Sequence, residues 1–282
     1  MNSSPVIWVD GERLASLPLP DRGLELGDGL FETLLAHRAE PLFLDLHLER
    51  LRCGLDMLGI DQPLESLKRQ LQSVSNLLAQ QAWEWASIRV TVTRGCGERF
   101  ERGYAPPESA TPRVIIQAYQ MQRNAGEMQP PSELGIGELQ LSIQPALAGL
   151  KHLNRLEQVL AAQEAKKRGF DDLLLMDQTE TVSSCIAGNV FVVRGGTLVT
   201  PPIVSCGVAG TRRRIILERW GGQCGYEVEV APLTLAEVLD AQEVFCTNSL
   251  VTVRSIASIG DQVYSSADAA NAVFECFAGS LQ

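Results

Sequence analysis

The chain has four lysines, at positions 68, 151, 166 and 167, against twenty arginines. Lys151 is the one set in neutral, apolar surroundings, in the run Leu147-Ala148-Gly149-Leu150-Lys151-His152-Leu153-Asn154 ahead of a helical pattern. Such surroundings disfavour an ammonium ion, which makes the amine a nucleophile toward carbonyl carbon and a usable base. In the ordinary alternative, the stem lies over neighbouring leucines and the amine stays in water. Spacing alone favours this ordinary alternative. Lys166 and Lys167 fall in the last turn of a helix, where cations complement its dipole, and Lys68 falls on a polar helix face.

A second group of residues suits an anion. The run from Gly207 through Val208, Ala209, Gly210 and Thr211 to Arg212 puts small residues before a helix, whose first N–H groups suit a phosphate. Many glycine turns do no more than begin a helix. Thr247-Asn248-Ser249, ending a strand, either adds donors or is a plain polar turn. Arg50, one turn beyond His47, is either a charged clamp or an exposed helix arginine. Ser183 and Ser184 interrupt an apolar strand in the hairpin 177–191 and face either solvent or a ligand. No Ser/His/Asp triad, pair of catalytic carboxylates or Walker-type loop emerges from the rest.

These residues must be positioned by a fold of 282 residues, enough for two modest domains. Hydrophobic residues at 45% and charged residues at 21% fit a globular protein rather than a disordered one. A net charge of −10 argues against a nucleic-acid surface, so an anionic substrate must be met by local arginines. Seven scattered cysteines without a C-x-x-C pair fit reduced thiols in the cytoplasm, and three dispersed histidines suggest no metal centre. Neither a signal peptide nor an apolar run of membrane-spanning length is expected.

Periodicity predicts strands at 5–10, 32–35, 87–93 and 113–119, helices over 44–58 and 64–80, and a long glycine- and arginine-rich loop over 94–111. Residues 120–132, ending in two prolines, read as a linker between an N-terminal α/β domain, 1–119, and a C-terminal one, 133–282, that carries Lys151. The second half predicts strands near 138–144 and at 172–176, 181–193, 197–200, 226–230, 243–247 and 251–256. Its helices are expected over 154–168 with Gly169 as cap, from 210 to 220, after a capping box Thr234-x-x-Glu237, and from about 266.

Taken together, several motifs resemble the fold type IV pyridoxal-phosphate enzymes, from about Asp10 to Val253. They are Asp21-Arg22-Gly23, the run Gly27-Asp28-Gly29-Leu30-Phe31-Glu32-Thr33, His47-x-x-Arg50-Leu51, Lys151, Asn189-x-Phe191 and 207–213. That family includes branched-chain and D-amino acid aminotransferases and aminodeoxychorismate lyases. The run 147–160 and Arg102-Gly103-Tyr104 are most similar to the lyase branch. The resemblance implies a two-domain α/β (α+β) fold of the D-amino acid aminotransferase type, a homodimer, and pyridoxal 5'-phosphate held between domains by a Schiff base to Lys151. It implies phosphate contacts from Arg50, Gly210, Thr211, Arg212, Asn248 and Ser249. Substrate contacts are implied from Phe31, Tyr104 and Arg102, with Arg94 or Arg99 as further candidates for the carboxylate.

One departure stands out. Family members carry a glutamate opposite the pyridine nitrogen, and the matching position here is Ser184, which can hydrogen-bond that nitrogen but not hold it protonated. Glu180 lies four residues away, roughly 13 Å along an extended strand. The resemblance implies conversion of the anionic, chorismate-derived 4-amino-4-deoxychorismate to 4-aminobenzoate and pyruvate for folate synthesis. The alternatives are a D-amino acid or branched-chain aminotransferase, or a relative that binds the cofactor without turnover because of Ser184.

Overall fold

The computed structural model describes residues 5–13, 16–97, 103–124 and 126–281, which form two compact units. One comprises residues 1–123 with 150–154, and the other 124–149 with 155–282. Lys151 therefore belongs with the N-terminal unit, not with the C-terminal domain to which the sequence assigned it.

In the first unit the elements run β1 (Val6–Val9), α1 (Arg22–Leu26), β2 (Gly29–His37), β3 (Glu40–Pro41), α2 (Leu44–Leu58), α3 (Leu64–Gln80), β4 (Trp85–Gly97) and β5 (Ala110–Gln120). The strands make one antiparallel sheet in the order β1-β5-β4-β2-β3. Alternation along β2 and β4 sorts their residues between two faces. Leu30, Leu34, Ile88, Val90 and Val92 are buried, as are Leu48, Leu51 and Leu55 of α2 and Leu67, Leu71, Val74 and Leu78 of α3. Gly54 lets α2 lie close to β2, since a Cβ there would come within 2.7 Å of Leu30. The other face carries Phe31, Thr33, Arg89, Thr91 and Gln117, set beside one another by the pairs Phe31–Thr91, Thr33–Arg89 and Arg89–Gln117. The glycine-rich loop is shorter than its composition suggests, because β4 continues to Gly97 and pairs with Thr111 and Ala110 past a register shift.

A buried charge network fixes the turn that leads into β2. Asp21 caps α1 by accepting from Gly23 N at 2.9 Å and Leu24 N at 3.3 Å. Its other oxygen takes Thr93 Oγ1 and Arg113 Nη1, each at 2.9 Å. Asp28 accepts from Arg22 Nε at 2.9 Å and Arg94 Nε at 2.7 Å. Burial would raise the Asp28 pKa, but Arg94 and Arg22 outweigh it and hold the carboxyl below its ordinary value.

The second unit runs β6 (Ser132–Ile136), α4 (Leu156–Arg168), β7 (Asp172–Met176), β8 (Val182–Cys185), β9 (Asn189–Arg194), β10 (Thr197–Thr200), α5 (Thr211–Ile215), α6 (Gly221–Gln223), β11 (Glu227–Val230), α7 (Leu235–Leu239), β12 (Glu243–Thr247), β13 (Arg254–Ile259), β14 (Gln262–Val263) and α8 (Asp268–Gly279). A π-helical turn, Ile216–Trp220, joins α5 to α6. The strands form a mixed sheet ordered β11-β10-β9-β12-β13-β6-β7-β8, with β14 on β13. The apolar run of β7 is buried on both sides, as expected for an interior strand. Leu174 joins Val182, Val190 and Val238, and Leu173 and Leu175 join Ala161 and Ala165 of α4. The first strand here is 132–136 rather than 138–144, and the single strand expected over 181–193 turns at 186–188 into two.

Candidate active site

In the N-terminal unit, residues 151–153 lie along the first half of β2 on the edge that β3 occupies farther on. Phe31 N donates to Lys151 O at 2.9 Å and Leu153 N to Gly29 O at 3.1 Å, while Asn154 Nδ2 reaches Gly27 O at 3.2 Å. These bonds explain why Lys151 leaves the part of the chain that flanks it. Its Nζ stands 4.4 Å from the centroid of the Phe31 ring, a cation–π contact that also fixes the stem. Arg89 Cζ lies 3.9 Å from the same centroid. One buried ring thus carries two cations, and Arg89 is a neighbour of the Lys151 site that the sequence alone does not single out. Its signal was a lone arginine on the polar side of an alternating strand, SIRVTVT.

Arg50 is paired rather than exposed. Its Nε donates to Glu32 Oε1 at 2.8 Å and its Nη2 to Oε2 at 2.6 Å, while His47 Nδ1 lies 2.6 Å from Oε2. Burial raises the Glu32 pKa, but the Arg50 charge and the bonds from His47 and Arg50 overcome this and bring it down to about 2. Glu32, seen in the sequence only as part of a motif, is the partner that holds Arg50 in place.

The other arginines named for the substrate differ in fate. Arg94 is a correction: its Nε and Nη2 bond Asp28, and Nη1 and Nη2 donate to Gly59 O at 2.8 Å and Leu58 O at 2.6 Å. It ties the end of α2 to the turn before β2 and is spent on the fold. Arg99 and Arg102 lie outside the described residues. Tyr104 is 90% exposed, and its carbonyl accepts from Arg22 Nη2 at 3.0 Å.

In the C-terminal unit, Gly149 N donates to Gly207 O at 3.0 Å and Ala209 N to Gly149 O at 3.1 Å, so the loop before Lys151 is paired with the glycine turn. Both glycines have φ near +85°, a left-handed conformation open to them at little cost. Asn189 Nδ2 donates to Val208 O at 3.0 Å, and its Oδ1 packs so close to Gly210 that a Cβ there would collide with it. Gly210 leads into α5, where Thr211 and Arg212 are buried. Thr211 Oγ1 lies 3.3 Å from Ser249 Oγ, and Arg212 Nη2 donates to Ser249 O at 3.4 Å. Asn248 Oδ1 closes its own turn by accepting from Leu250 N at 3.0 Å and Val251 N at 2.8 Å. Thr247 Oγ1 is buried with no hydrogen-bond partner among the described residues. A buried hydroxyl pays for such isolation unless something else bonds it. Two neighbouring hydroxyls, a buried guanidinium and an open helix start make a donor set suited to a phosphate dianion.

Ser184 stands opposite Leu175 in the β7–β8 ladder, and the register then skips Ser183 before Val182 meets Met176. Such bulges re-aim side chains. Ser183 Oγ lies 3.2 Å from Cys206 Sγ. Glu180 is exposed with φ of +61° in the turn before β8.

The family described as Amino-transferase class IV matches residues 29–259. An aminodeoxychorismate lyase of Vibrio harveyi is 34% identical over 255 residues, which span 90% of this chain and 91% of the relative. The crystal structure of the 4-amino-4-deoxychorismate lyase from Pseudomonas aeruginosa superposes with a TM-score of 0.87 at 35% identity, over 98% of this chain and 99% of the other. A Mycobacterium tuberculosis hypothetical aminotransferase in its PLP-bound form shares the fold, with a TM-score of 0.82 at 17% identity over 98% and 100% of the two chains. With its lysine stationed beside β2 and its glycine turn opening a buried helix start, the chain belongs to the class IV aminotransferase family of pyridoxal-phosphate enzymes.

Proposed function

We propose that the protein is an aminodeoxychorismate lyase, converting 4-amino-4-deoxychorismate to 4-aminobenzoate and pyruvate for folate synthesis. The observation that carries this reading is the likeness to lyases along nearly the whole chain, with Lys151 held on β2 over Phe31. Lys151 would bond the aldehyde carbon of pyridoxal phosphate. Gly210, Thr211, Arg212, Asn248 and Ser249 would hold the phosphate with Arg50, and the orphaned Thr247 hydroxyl is a natural addition. When bound, the cofactor withdraws electrons from the carbon that bears the substrate amine. Displaced from the aldehyde carbon by the substrate amine, the freed Lys151 amine would take the proton from that carbon. Aromatisation of the ring then expels the enolpyruvyl group, which becomes pyruvate on protonation. Because aromatisation itself drives the reaction, a hydroxyl at Ser184 is a tolerable replacement for the carboxylate that an aminotransferase needs.

The apolar stripe Leu156, Val159 and Leu160 is exposed at the start of α4 and supports a homodimer. The cysteines form no disulfide, which suits a reducing compartment, and we assign the protein to the cytoplasm.

The test is incubation of the holoenzyme with 4-amino-4-deoxychorismate, following 4-aminobenzoate and pyruvate together. Equal amounts of both, formed without an amino acceptor, are expected. Absence of both with cofactor demonstrably bound overturns the reading, and dependence on a 2-oxo acid replaces it with an aminotransferase.

A further inference from the structure

Two half-buried thiols of the C-terminal unit lie side by side: Cys224 Sγ stands 3.3 Å from Cys276 Sγ, across 52 residues of chain. Cys276 sits in the last turn of α8, and Cys224 follows α6, where its N–H donates to Trp220 O at 2.9 Å. The pair therefore stands where α8 meets the end of the helical segment 211–223. The two ends of α8 are held differently. At its start, Ala269 N and Ala270 N donate to the Glu243 carboxylate at 3.0 and 2.8 Å. Toward its end rings pack together, with Phe277 edge-on to Trp220 at 6.4 Å and Phe274 at 6.0 Å from Phe277. Burial, then the neighbouring Cys276, pushes the Cys224 thiol up to about 12. At neutral pH it is thus a neutral thiol and a poor first nucleophile. A second neighbouring pair, Cys185 and Cys246, is sealed in the core at 1% and 8% exposure. Cys224 and Cys276 combine contact with access.

We propose that Cys224 and Cys276 form a redox site that takes a low-molecular-weight disulfide as oxidant and closes to an intramolecular disulfide tying α8 to the end of α6. In the first step Cys276 loses its proton and its sulfur attacks one sulfur of the reagent, whose S–S bond breaks and releases a thiolate. Cys224 then loses its proton and attacks the Cys276 sulfur of the mixed disulfide, expelling the second thiolate. Each departing thiolate takes up one proton. The protein gives up two protons and two electrons, and the reagent is reduced to two thiols. Contact favours the second step, because the resolving thiol already lies beside its target and closure outruns a second adduct. A disulfide sets its sulfurs at about 2.0 Å. The remaining approach of about 1 Å falls to side-chain rotation and to the turn behind Cys224. There Gly225 has φ of +81°, and a Cβ on it would touch nothing. Both thiols are free in this structure, which is the reduced form. The bond closes a long loop, which constrains the unfolded chain, and fastens the end of α8 opposite the one that Glu243 holds.

Treating the holoenzyme with oxidised glutathione, alkylating the remaining thiols and mapping the peptides tests this without substrate or turnover, so it stands apart from the lyase reading. The expected product is one cross-linked peptide pair carrying Cys224 and Cys276, with no glutathione on either. Tm is expected to rise by several degrees, and dithiothreitol should reverse the rise. In Cys224→Ser, Cys276 should retain one glutathione and the rise in Tm should vanish. In Cys276→Ser, Cys224 should stay largely unmodified, because it is the poorer first nucleophile. Alanine at either position serves if the serine variant fails to fold, and the wild-type map needs no variant at all. Three results overturn the proposal. Both thiols are alkylated at oxidant levels that modify exposed Cys53, glutathione persists on Cys276 of the wild type, or either cysteine joins a different thiol. A bond between the two that forms without raising Tm overturns it as well, since the sulfurs would then be close without fastening α8.

Discussion

Glu32 and Arg50 face each other across β2 and α2 as a two-point pair, Nε to Oε1 at 2.8 Å and Nη2 to Oε2 at 2.6 Å. Both side chains are almost wholly withdrawn from solvent. Removing one partner of a buried pair leaves the other charge uncompensated, which costs about 3–5 kcal/mol. Glu32→Gln is therefore expected to lower unfolding stability in urea at neutral pH by that order. The carboxyl has its folded pKa at about 2, below the ordinary 4.5. Its stabilising contribution is thus complete above pH 4.5 and fades as the pH falls toward 2. Denaturation curves across that window should show the wild type losing this contribution while Glu32→Gln has none to lose. Parallel curves would show that the pair adds nothing.

Lys151 is the residue without which the cofactor assignment cannot stand. Lys151→Ala should eliminate the visible absorbance band that borohydride reduction traps in the holoprotein. Pyridoxal phosphate should still associate weakly through the phosphate contacts, so dialysis removes it where the wild type retains it. A reducible band persisting in the variant would mean that a different amine bonds the cofactor.

Gly210 has an ordinary φ of −64°, so its lack of a side chain serves space and not backbone conformation. Alanine there would drive its Cβ into Asn189 Oδ1 and pull Asn189 Nδ2 from Val208 O. Overpacking of this kind costs about 1–3 kcal/mol, and the damage falls on the turn assigned to the phosphate. Gly210→Ala should weaken pyridoxal-phosphate affinity by about tenfold or more at a modest cost in Tm. A loss of Tm with cofactor affinity unchanged would separate the turn from the phosphate.

The stripe Leu156, Val159 and Leu160 occupies positions i, i+3 and i+4 of α4, one face of the helix. Leu156 is 76% exposed and Leu160 53%. If this face is buried in the homodimer, Leu160→Asp should shift the sedimentation coefficient toward that of a monomer at micromolar concentration. An unchanged dimer would place the interface elsewhere.

The elements were legible where a single rule governs them. The helices 44–58 and 64–80 follow from a 3.6-residue period, ended in the first case by Gly59 in a left-handed cap. The capping box at Thr234 forms as the pair Thr234–Glu237 suggests. The site was less legible because its partners are distant in sequence. Nothing local distinguishes Arg94, whose donors go to Asp28 and the end of α2, from Arg89, which lies over the Phe31 ring. The unit to which Lys151 belongs is hidden for a similar reason. Local spacing cannot show that 151–153 will pair with residues 29–31, more than a hundred positions earlier.

In the lyase reading, Ser184 sets how general the chemistry is. Its place opposite Leu175, beside a bulge, gives a hydroxyl where family resemblance expects a carboxylate, and Glu180 is held in an exposed turn too far along the chain to substitute. A hydroxyl hydrogen-bonds a ring nitrogen but does not stabilise its protonated form as an anion does. Amino-group exchange depends on that protonated ring, whereas a reaction that ends in an aromatic product draws part of its driving force from the product. Ser184→Glu should therefore raise exchange between D-alanine and a 2-oxo acid more than it raises formation of 4-aminobenzoate. The pyridine nitrogen of bound cofactor should also keep its proton to higher pH, read by its 15N chemical shift, because the new carboxylate favours the protonated form. The outcome that defeats this account is a lyase rate increased about tenfold, which would mean that about 1.4 kcal/mol of barrier had been left standing by the serine.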